Sequence, residues 1–534
     1  MLSDDAGGRN EAFDIALAEV ESVVPELLAR HDVPGLAVGV FAAGQVAARC
    51  FGSLGRTDPR PVEPGTIFSV QSVSKLFTAT AVMVLVDAGI VDLDAPITEY
   101  LQEFSVRSAF ETGPEGLMTI RHLLSHTAGF THEAPIGSNY GLEDASFDEH
   151  LESISQTWLR FPVGHHCEYS NLGVDLAGAI LERRTGASFS DAVRELLFEP
   201  LGLEASSYDL GAIAAAPSRA IGHEPGFASV PLKVPMVTSG GLYTSLDDAM
   251  RFAAFHQRQC VGLLSESTHH EMRHIPFAAQ GQEFGYALGI HHQSRGGGVP
   301  ISGHAGNGFG FHADLAWSEA EDFGVVVLVN SGHPGVKWRV ADDVIGKLGT
   351  PVTPQRLDRV SIQHEPRKAS DGEFTGSYLG RQGSAQVTGL SGSSHLNLQL
   401  GASAEDLTRI EDDLFAGDSQ DVEFLRDGSH VVRHMRRLGD GATFYRNIAT
   451  PGTAAGLLEG NFEVHQWGQR VALVTVLRVY GHGVLRLQWD GEPTQDLWLT
   501  PVADGVFLTT TGETLDLVQT PASYASLTLR ATQP

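Results

Sequence analysis

The first 350 residues alternate between helical and strand patterns of hydrophobic and polar positions. Apolar residues recur at helical spacing over residues 13–30, and residues 76–87 are apolar enough for a buried helix. Residues 35–41 and 46–51 predict two strands around a short turn, and residues 324–329 predict a central strand. Strands near both ends with helices between them indicate an α/β or α+β layer in which N- and C-terminal segments share one sheet.

The pattern changes near residue 350, where a polar stretch begins. Beyond residue 372 the helical spacing disappears, and short alternating runs are separated by Gly, Asp and Ser, which is typical of small antiparallel β domains. Gly376 and Gly460 each stand two positions before an aromatic residue, which we interpret as a weak internal duplication of one β-barrel-like unit. The sequence therefore predicts a first domain over residues 1–350, a linker over 351–372, and small β-barrel domains over 373–450 and 451–534.

Length and composition restrict the class of protein. A chain of 534 residues is too long for one hydrophobic core and suggests two to four domains. The formal net charge of −29 disfavours nucleic acid and anionic membranes as partners, because their phosphates would be repelled. Three cysteines cannot make a disulfide framework for this length, and the N-terminus lacks the pattern of a secretory leader. We therefore expect a cytoplasmic protein that acts on a small molecule or short peptide.

The candidate chemistry is concentrated between Ser72 and Lys75. A Ser-x-x-Lys spacing places a hydroxyl and an amine on one face of a helix that begins at the serine. Backbone N–H groups at such a helix start can stabilise an oxyanion, and an uncharged lysine can take the serine proton. A pattern with two fixed positions often arises by chance, so other segments must support it.

Three further segments follow in order along the chain. They are the His-Leu-Leu-Ser-His-Thr-Ala-Gly loop of residues 122–129, Tyr169-Ser170-Asn171 and His304-Ala305-Gly306. With the Ser-x-x-Lys pattern, they resemble segments of the class C β-lactamase-like serine hydrolases, the penicillin-recognising enzymes. The resemblance covers roughly residues 33–348. It implies acyl-enzyme chemistry and a β-lactamase/transpeptidase-like α/β (α+β) domain, in which a helical subdomain is inserted into a helix-flanked antiparallel sheet.

The resemblance also implies a role for each matching residue. Ser72 would be the nucleophile, Lys75 its activator, and Tyr169 the group that exchanges the proton with the leaving group. Asn171 would orient the substrate amide, and the backbone N–H groups of Ser72 and Asn307 would form the oxyanion hole. On this pattern neither a metal nor an organic cofactor is required.

The third segment, His304-Ala305-Gly306, departs from the Lys-Thr-Gly of most β-lactamases and penicillin-binding proteins. We expect His304 to belong to the catalytic site, and Gly306 to share the oxyanion and substrate-binding turn with Asn307. The missing lysine weakens recognition of a substrate carboxylate. Relatives with His here include D-amino-acid amidases and D-aminopeptidases, and these D-aminopeptidases carry two small lipocalin-like β-barrels after the catalytic domain.

The resemblance thus implies a serine hydrolase of D-aminopeptidase type that cleaves small amides or peptides. A homo-oligomer, formed through contacts of the β domains, is a separate hypothesis. A carboxylesterase using the same residues is one alternative, since esters are cleaved more easily than amides. A non-catalytic binding or scaffold protein on this fold is another. No Gly-x-Ser-x-Gly elbow is present, which removes the α/β-hydrolase alternative.

Histidine-rich segments offer a competing metal hypothesis. His270-Glu271-x-x-His274 matches a zinc-protease motif, but the motif needs a continuing helix and a third ligand, and Pro276 follows at once. The pairs His165/His166 and His291/His292 are interpreted as surface or rim residues. The sequence analysis therefore predicts no metal site.

Overall fold

The structure is a computed structural model of the chain. It describes residues 3–108, 110–137, 144–224, 230–278, 282, 284–352, 371–380, 383–389, 395–401, 403–426, 430–446, 457, 459–466, 469–479, 482–490, 494–518, 520–525 and 527–532.

An eight-stranded antiparallel sheet forms the centre of the first 350 residues. Its first and last segments are neighbours, since Val38 is paired with Val327. In spatial order the strands are Asp58–Pro61, Gln45–Gly55, Gly35–Ala42, Phe323–Val329, Phe311–Ser318, Val299–Gly308, His291–Arg295 and Gly285–Tyr286. The predicted sharing of one sheet by N- and C-terminal segments is confirmed.

Both faces of this sheet are covered, which explains why its central strands are apolar without interruption. Side chains of a strand alternate between the two faces. The odd-numbered valines of Phe323–Val329 pack with helices Ser3–His31 and Pro334–Leu348, while Val326 and Leu328 pack into the core on the opposite face. Two buried faces produce a continuous hydrophobic run.

The helices lie on the two faces and in an inserted helical region. Ser74–Asp87 contacts Asn171–Thr185 within that region, and Leu246–Gln257 contacts the sheet. The remaining α-helices are Ile120–Leu124, Phe147–Ile154, Phe189–Val193, Glu199–Leu201, Leu210–Ala215, Val237–Gly240 and Glu266–Arg273, with a π-helical turn at Arg194–Phe198. Among the described residues, no helix is both long and apolar enough to cross a membrane.

The predicted elements of this half agree with the structure apart from their ends. The expected helix over 13–30 is the longer Ser3–His31, and the expected strand over 46–51 is Gln45–Gly55. The helix expected to begin at Ser72 is preceded by a 3₁₀ turn, and the α-helix itself begins at Ser74.

Two antiparallel β units follow. The first is a closed eight-stranded barrel whose first and last strands pair, with Leu379 opposite Tyr445. Its strands are Gly376–Gly380, Gly383–Gly389, His395–Leu400, Ser403–Arg409, Leu414–Ala416, Asp421–Arg426, Val432–Arg437 and Thr443–Arg446. The second is a nearly closed sheet of Gly460–Gln466, Gln469–Val479, His482–Trp489, Gln495–Ala503, Val506–Thr509, Thr514–Asp516, Ser523–Tyr524, Leu527–Thr528 and Arg530–Ala531. The two predicted barrels are confirmed.

The suspected repeat occupies equivalent places in these two units. Gly376 and Gly460 each begin the first strand, and Tyr378 and Phe462, two positions later, point into the respective cores. The domain limits 1–350, 373–450 and 451–534 stay a proposal. Residues 353–370 of the proposed linker lie outside the described residues.

Candidate active site

Ser72 lies on a strained turn that a strand approaches closely. The residue before it, Gln71, has a φ of 50°, a conformation that non-glycine residues rarely adopt. Its side-chain Nε2 donates a hydrogen bond of 2.8 Å to Ser69 Oγ, which helps to hold the turn. A Cβ added at Gly306 would lie 2.0 Å from the Val70 carbonyl oxygen. Only glycine therefore lets the His304-containing strand approach the nucleophile turn.

Lys75 is fully buried beneath Ser72. Its Nζ lies 2.9 Å from Ser72 Oγ and donates a second hydrogen bond of 2.9 Å to the Ser239 carbonyl oxygen. The Tyr169 ring centroid is 5.0 Å from the same nitrogen. A lysine in this position can accept the hydroxyl proton of Ser72 only when it is itself unprotonated.

Asp175 fixes the turn that holds Lys75. One carboxylate oxygen accepts hydrogen bonds from the Ser239 backbone N–H at 3.0 Å and from Thr238 Oγ1 at 2.8 Å. The other accepts a bond of 2.9 Å from Ser239 Oγ and lies 3.0 Å from His150 Nε2. Asp175 is thus a positioning residue, because it places the Ser239 carbonyl that contacts Lys75.

We expect Asp175→Asn to lower kcat about tenfold with little change in KM, which corresponds to about 1.4 kcal/mol of lost transition-state stabilisation. Asparagine preserves the shape but replaces one accepting oxygen by an amide, so the Val237–Gly240 turn shifts. Steady-state kinetics on an amide substrate, with urea unfolding of the same variant, would measure both quantities.

Asp248→Asn is the matched control for that variant. Asp248 is also a buried carboxylate and accepts hydrogen bonds from Ala205 N at 2.8 Å and Ser206 Oγ at 2.9 Å. It should lose stability without losing kcat. Equal loss of kcat in the two variants would contradict the positioning role of Asp175.

Tyr169 and Asn171 flank the start of helix Asn171–Thr185, which Ser170 caps through its hydroxyl. Asn171 is buried and donates a hydrogen bond of 3.0 Å from Nδ2 to Glu133 Oε2. Burial pushes the pKa of Glu133 upward, but the neighbouring His132 and the hydrogen bonds from His132 and Asn171 outweigh it and leave the pKa lowered. A charged Glu133 therefore fixes the Asn171 amide.

His304 has both ring nitrogens engaged. Nδ1 donates to the Ala305 carbonyl at 2.7 Å, since a carbonyl can only accept, and Nε2 then accepts from the Tyr286 hydroxyl at 2.6 Å. Burial, and next the charge of Lys75, lower the pKa of His304 well below its usual value. Burial also raises the pKa of Tyr286, which keeps its proton to donate. His304 is therefore an uncharged part of the wall.

A buried lysine supports the turn at Asn307 from behind. Lys337 Nζ donates to the carbonyl oxygens of Gly306 at 2.8 Å and Ala313 at 3.1 Å, and also contacts Asn307 Oδ1. His312 Nδ1 lies 2.6 Å from the same Asn307 oxygen. Burial lowers the pKa of Lys337 to about 7. Lys337 therefore holds the Gly306 backbone of the expected oxyanion turn and, together with His312, the Asn307 side chain.

These groups surround one cavity of about 680 Å³, a size suited to a small ligand. Of the residues predicted from sequence, the cavity is lined by Ser72, Tyr169, Asn171, His304 and Asn307. Lys75 and Gly306 lie directly behind this lining.

The first barrel supplies part of the cavity wall, a question that the sequence left open. Arg436 and residues 440–443 line the cavity. Arg436 Nη2 is paired with Glu423 Oε2 at 2.6 Å, and Asp440 is held by Arg437 and accepts a hydrogen bond of 3.1 Å from Ala442 N. The rim therefore brings a carboxylate, Asp440, to the cavity.

Sequence reasoning missed Asp175, Ser239 and Lys337, and it did not decide whether the β domains contribute a loop to the rim of the site or only mediate oligomer contacts. Only Lys337 leaves a usable signal. In helix Pro334–Leu348 it lies on the same face as the apolar residues Ala341, Ile345 and Leu348. A lysine on a core-facing side of a helix needs polar partners, which indicates a specific role.

The histidine motifs divide into two cases. Helix Glu266–Arg273 ends before His274, and Glu271 contacts Arg121, so the His-Glu-x-x-His motif does not share one helix. The interpretation of His166 as a surface or rim residue is wrong, because it is buried. The first barrel covers it, placing Tyr445 Oη 3.1 Å from its Nε2.

Comparisons with known proteins give a matching family and several relatives. The beta-lactamase family matches residues 20–350. The chain is 34% identical to the esterase EstB of Burkholderia gladioli over 38% of this chain and 53% of that protein. It is 26% identical to a D-aminopeptidase of Gluconobacter oxydans over 91% of both chains. The solved structure of SurE with D-Leu has 26% sequence identity to this chain and a TM-score of 0.55. The match covers 82% of this chain and 99% of the SurE chain. The chain spans about half the length of the curated relatives that are an esterase, a penicillin-binding protein and two β-lactamases.

Proposed function

The chain belongs to the beta-lactamase family, and from this premise we propose that it is a serine hydrolase that cleaves small amides or peptides through an acyl-enzyme on Ser72. The observation that carries the proposal is the 2.9 Å contact between Lys75 Nζ and Ser72 Oγ beside a cavity of about 680 Å³. Similarity to a D-aminopeptidase over 91% of both chains supports an amide substrate of D configuration.

The proposed reaction uses only side chains and backbone of this chain. Lys75 takes the proton of Ser72 after its own ammonium group has lost a proton to solvent, and Ser72 Oγ attacks the substrate carbonyl. The N–H groups of Ser72 and Asn307 stabilise the oxyanion, where loss of one such donor typically costs about 3 kcal/mol. Tyr169 gives its proton to the leaving amine as the scissile C–N bond breaks, and it takes up the proton held by Lys75. Water then attacks the acyl carbon and gives a proton to the Lys75–Tyr169 pair, which returns it to Ser72 Oγ as the ester bond breaks.

Charges around the cavity support a substrate with a free amino group. His304 is uncharged, so it gives a substrate carboxylate no cation. Arg436 and Asp440 both line the barrel-derived part of the wall, and each is ion-paired, Arg436 with Glu423 and Asp440 with Arg437. An ammonium group of the substrate would be attracted to Asp440.

We expect Asp440→Asn to raise KM about tenfold for amides with a free α-amine, because a charge-assisted contact is lost. KM for the same amides with an acetylated amine should change little. Michaelis–Menten kinetics on D-alanine p-nitroanilide and its N-acetyl form would measure the difference. Asp406→Asn, on an exposed strand of the same barrel, is the control. Equal effects on both substrates would contradict the assignment.

A carboxylesterase is the second candidate, supported by the 34% identity to EstB. One panel separates the two functions: p-nitroanilides of D- and L-alanine against short p-nitrophenyl esters. The amidase proposal expects turnover of the D-anilide, and hydrolysis of esters alone would favour the esterase. Self-association into a homo-oligomer also stays a prediction, and light scattering of the full chain would test it.

A further inference from the structure

Three histidines meet between the catalytic half and the first barrel, outside the reaction sequence proposed above. His165 and His166 belong to the loop that leads to Tyr169, and His434 lies on barrel strand Val432–Arg437. The Nδ1 atoms of His165 and His166 are 2.9 Å apart, and each residue offers a ligand nitrogen within 4.8 Å of the others. The His434 ring centroid is 5.1 Å from that of His165 and 4.8 Å from that of His166.

These distances are close to those of a metal site. Zn²⁺ binds histidine nitrogen at about 2.0–2.1 Å in tetrahedral geometry, which places neighbouring ligand nitrogens about 3.3 Å apart. Small side-chain rotations would bring the three nitrogens to that spacing. Imidazole suits Zn²⁺, Cu²⁺ and Ni²⁺, whereas Mg²⁺ and Ca²⁺ prefer oxygen. A metal needs at least three His, Cys, Asp or Glu side chains whose ligand atoms lie close together. Among the described residues, His165, His166 and His434 form such a group.

Tyr445 supplies the outer contact that metal-binding histidines normally have. Its hydroxyl lies 3.1 Å from His166 Nε2, on the side of the ring away from His165. With a metal on Nδ1, the His166 proton resides on Nε2 and is donated to Tyr445. The barrel therefore contributes both a ligand, His434, and the group that orients a second ligand.

The surrounding charges allow a cation. The nearby guanidinium of Arg160 is paired with Glu513, with Nε and Oε1 2.8 Å apart, and Arg436 is paired with Glu423.

We propose that His165, His166 and His434 bind one Zn²⁺-class dication, which joins the Tyr169 loop to the first barrel. The fourth position is open to water. The site is independent of the Ser72 chemistry, so binding is measurable whether or not the proposed function is right. Its consequence is structural: two segments far apart in sequence are held together three residues from Tyr169.

The test uses the full chain, freed of metal by chelation and titrated with ZnSO₄ or CoCl₂. We expect one equivalent of tightly bound Zn²⁺ by elemental analysis, a visible absorption band of tetrahedral Co²⁺, and a Tm that rises with Zn²⁺ concentration. His434→Ala should weaken affinity at least about 100-fold, and Tyr445→Phe about tenfold. Circular dichroism checks that each variant is folded, and His165→Ala replaces His434→Ala if the latter is not.

His270→Ala is the matched control, because a second cavity contains His269, His270, His274 and His292. The exposed His270 should be dispensable for Zn²⁺ binding. Binding that survives in His434→Ala and His165→Ala but disappears in His270→Ala would overturn the proposal and place the metal in that second cavity. Absence of stoichiometric binding by the folded wild type would show a hydrogen-bonded histidine cluster only, and would overturn it as well.

Discussion

Ser72→Ala is expected to reduce amide hydrolysis by about 10⁶-fold, the loss typical for removal of a serine nucleophile that acts with its base as a unit. The hydroxyl lies 2.9 Å from Lys75 Nζ at the cavity, so without it no acyl-enzyme can form. The fold should persist, because the change removes one oxygen and leaves the turn Gln71–Val73 its backbone contacts. Turnover of D-alanine p-nitroanilide and circular dichroism would measure the two effects.

Ser69→Ala serves as the control for a nearby buried hydroxyl. Ser69 accepts a hydrogen bond from Gln71 but has no lysine three residues on. A fluorophosphonate probe should label the wild type and Ser69→Ala, and should fail to label Ser72→Ala. Normal turnover by Ser72→Ala would reject the mechanism. A wild type that is neither labelled nor active would favour the non-catalytic scaffold alternative.

The sequence predicted those helices and strands whose hydrophobic residues follow a local periodic pattern. Residues 324–329 are apolar because alternate side chains pack into two different cores, one on each face of the sheet. In the sequence, these two sets of buried residues together form one continuous hydrophobic run. The proximity of Ser72 and Lys75 was also predictable from the sequence, because a spacing of three residues in a helical turn brings the two side chains together. His304 was placed only by resemblance to a family, since no spacing connects it to Ser72.

Two features that the sequence did not predict, the burial of His166 and the position of Asp440, depend on how the domains meet. His166 was interpreted as a surface or rim residue, but Tyr445 and His434 of the first barrel contact it. Asp440 reaches the cavity only because its barrel loop docks there, with Phe284 N donating to the Gly439 carbonyl at 3.3 Å. Such surfaces are polar and lack a repeating pattern, so no periodicity predicts their contacts.

Arg160 lies where the second barrel meets the catalytic half. Its Nε is 2.8 Å from Glu513 Oε1, its Nη1 is 3.6 Å from Glu168 Oε1, and all three side chains are at least 89% buried. Nη2 donates a hydrogen bond of 3.1 Å to the Thr511 carbonyl, and Glu513 Oε2 accepts one of 2.8 Å from Thr131. Because Glu168 immediately precedes Tyr169, this ion-pair network connects the second barrel to the expected proton-transfer residue.

Arg160→Met is therefore expected to lower the free energy of unfolding by about 3–5 kcal/mol, since it leaves two buried carboxylates without their cation. Methionine fills much of the volume, so the loss reflects charge more than a cavity. kcat should fall together with stability as the segment before Tyr169 loses its anchor. Urea unfolding followed by tryptophan fluorescence, and kinetics below the transition, would measure the two effects.

The control is Arg486→Met, which breaks an exposed pair of the same barrel, Arg486 with Asp496 at 2.7 Å, and should change neither quantity measurably. Glu513→Gln distinguishes the contributions of the two carboxylates, because Arg160 keeps its pair with Glu168 in this variant. Its loss in free energy of unfolding should therefore be smaller than that of Arg160→Met. If Arg160 and Glu513 act as one unit, the double variant must lose less than the sum of the single variants. Additive losses would mean that the two residues stabilise the protein independently, and that the second barrel does not hold the Tyr169 segment through this pair.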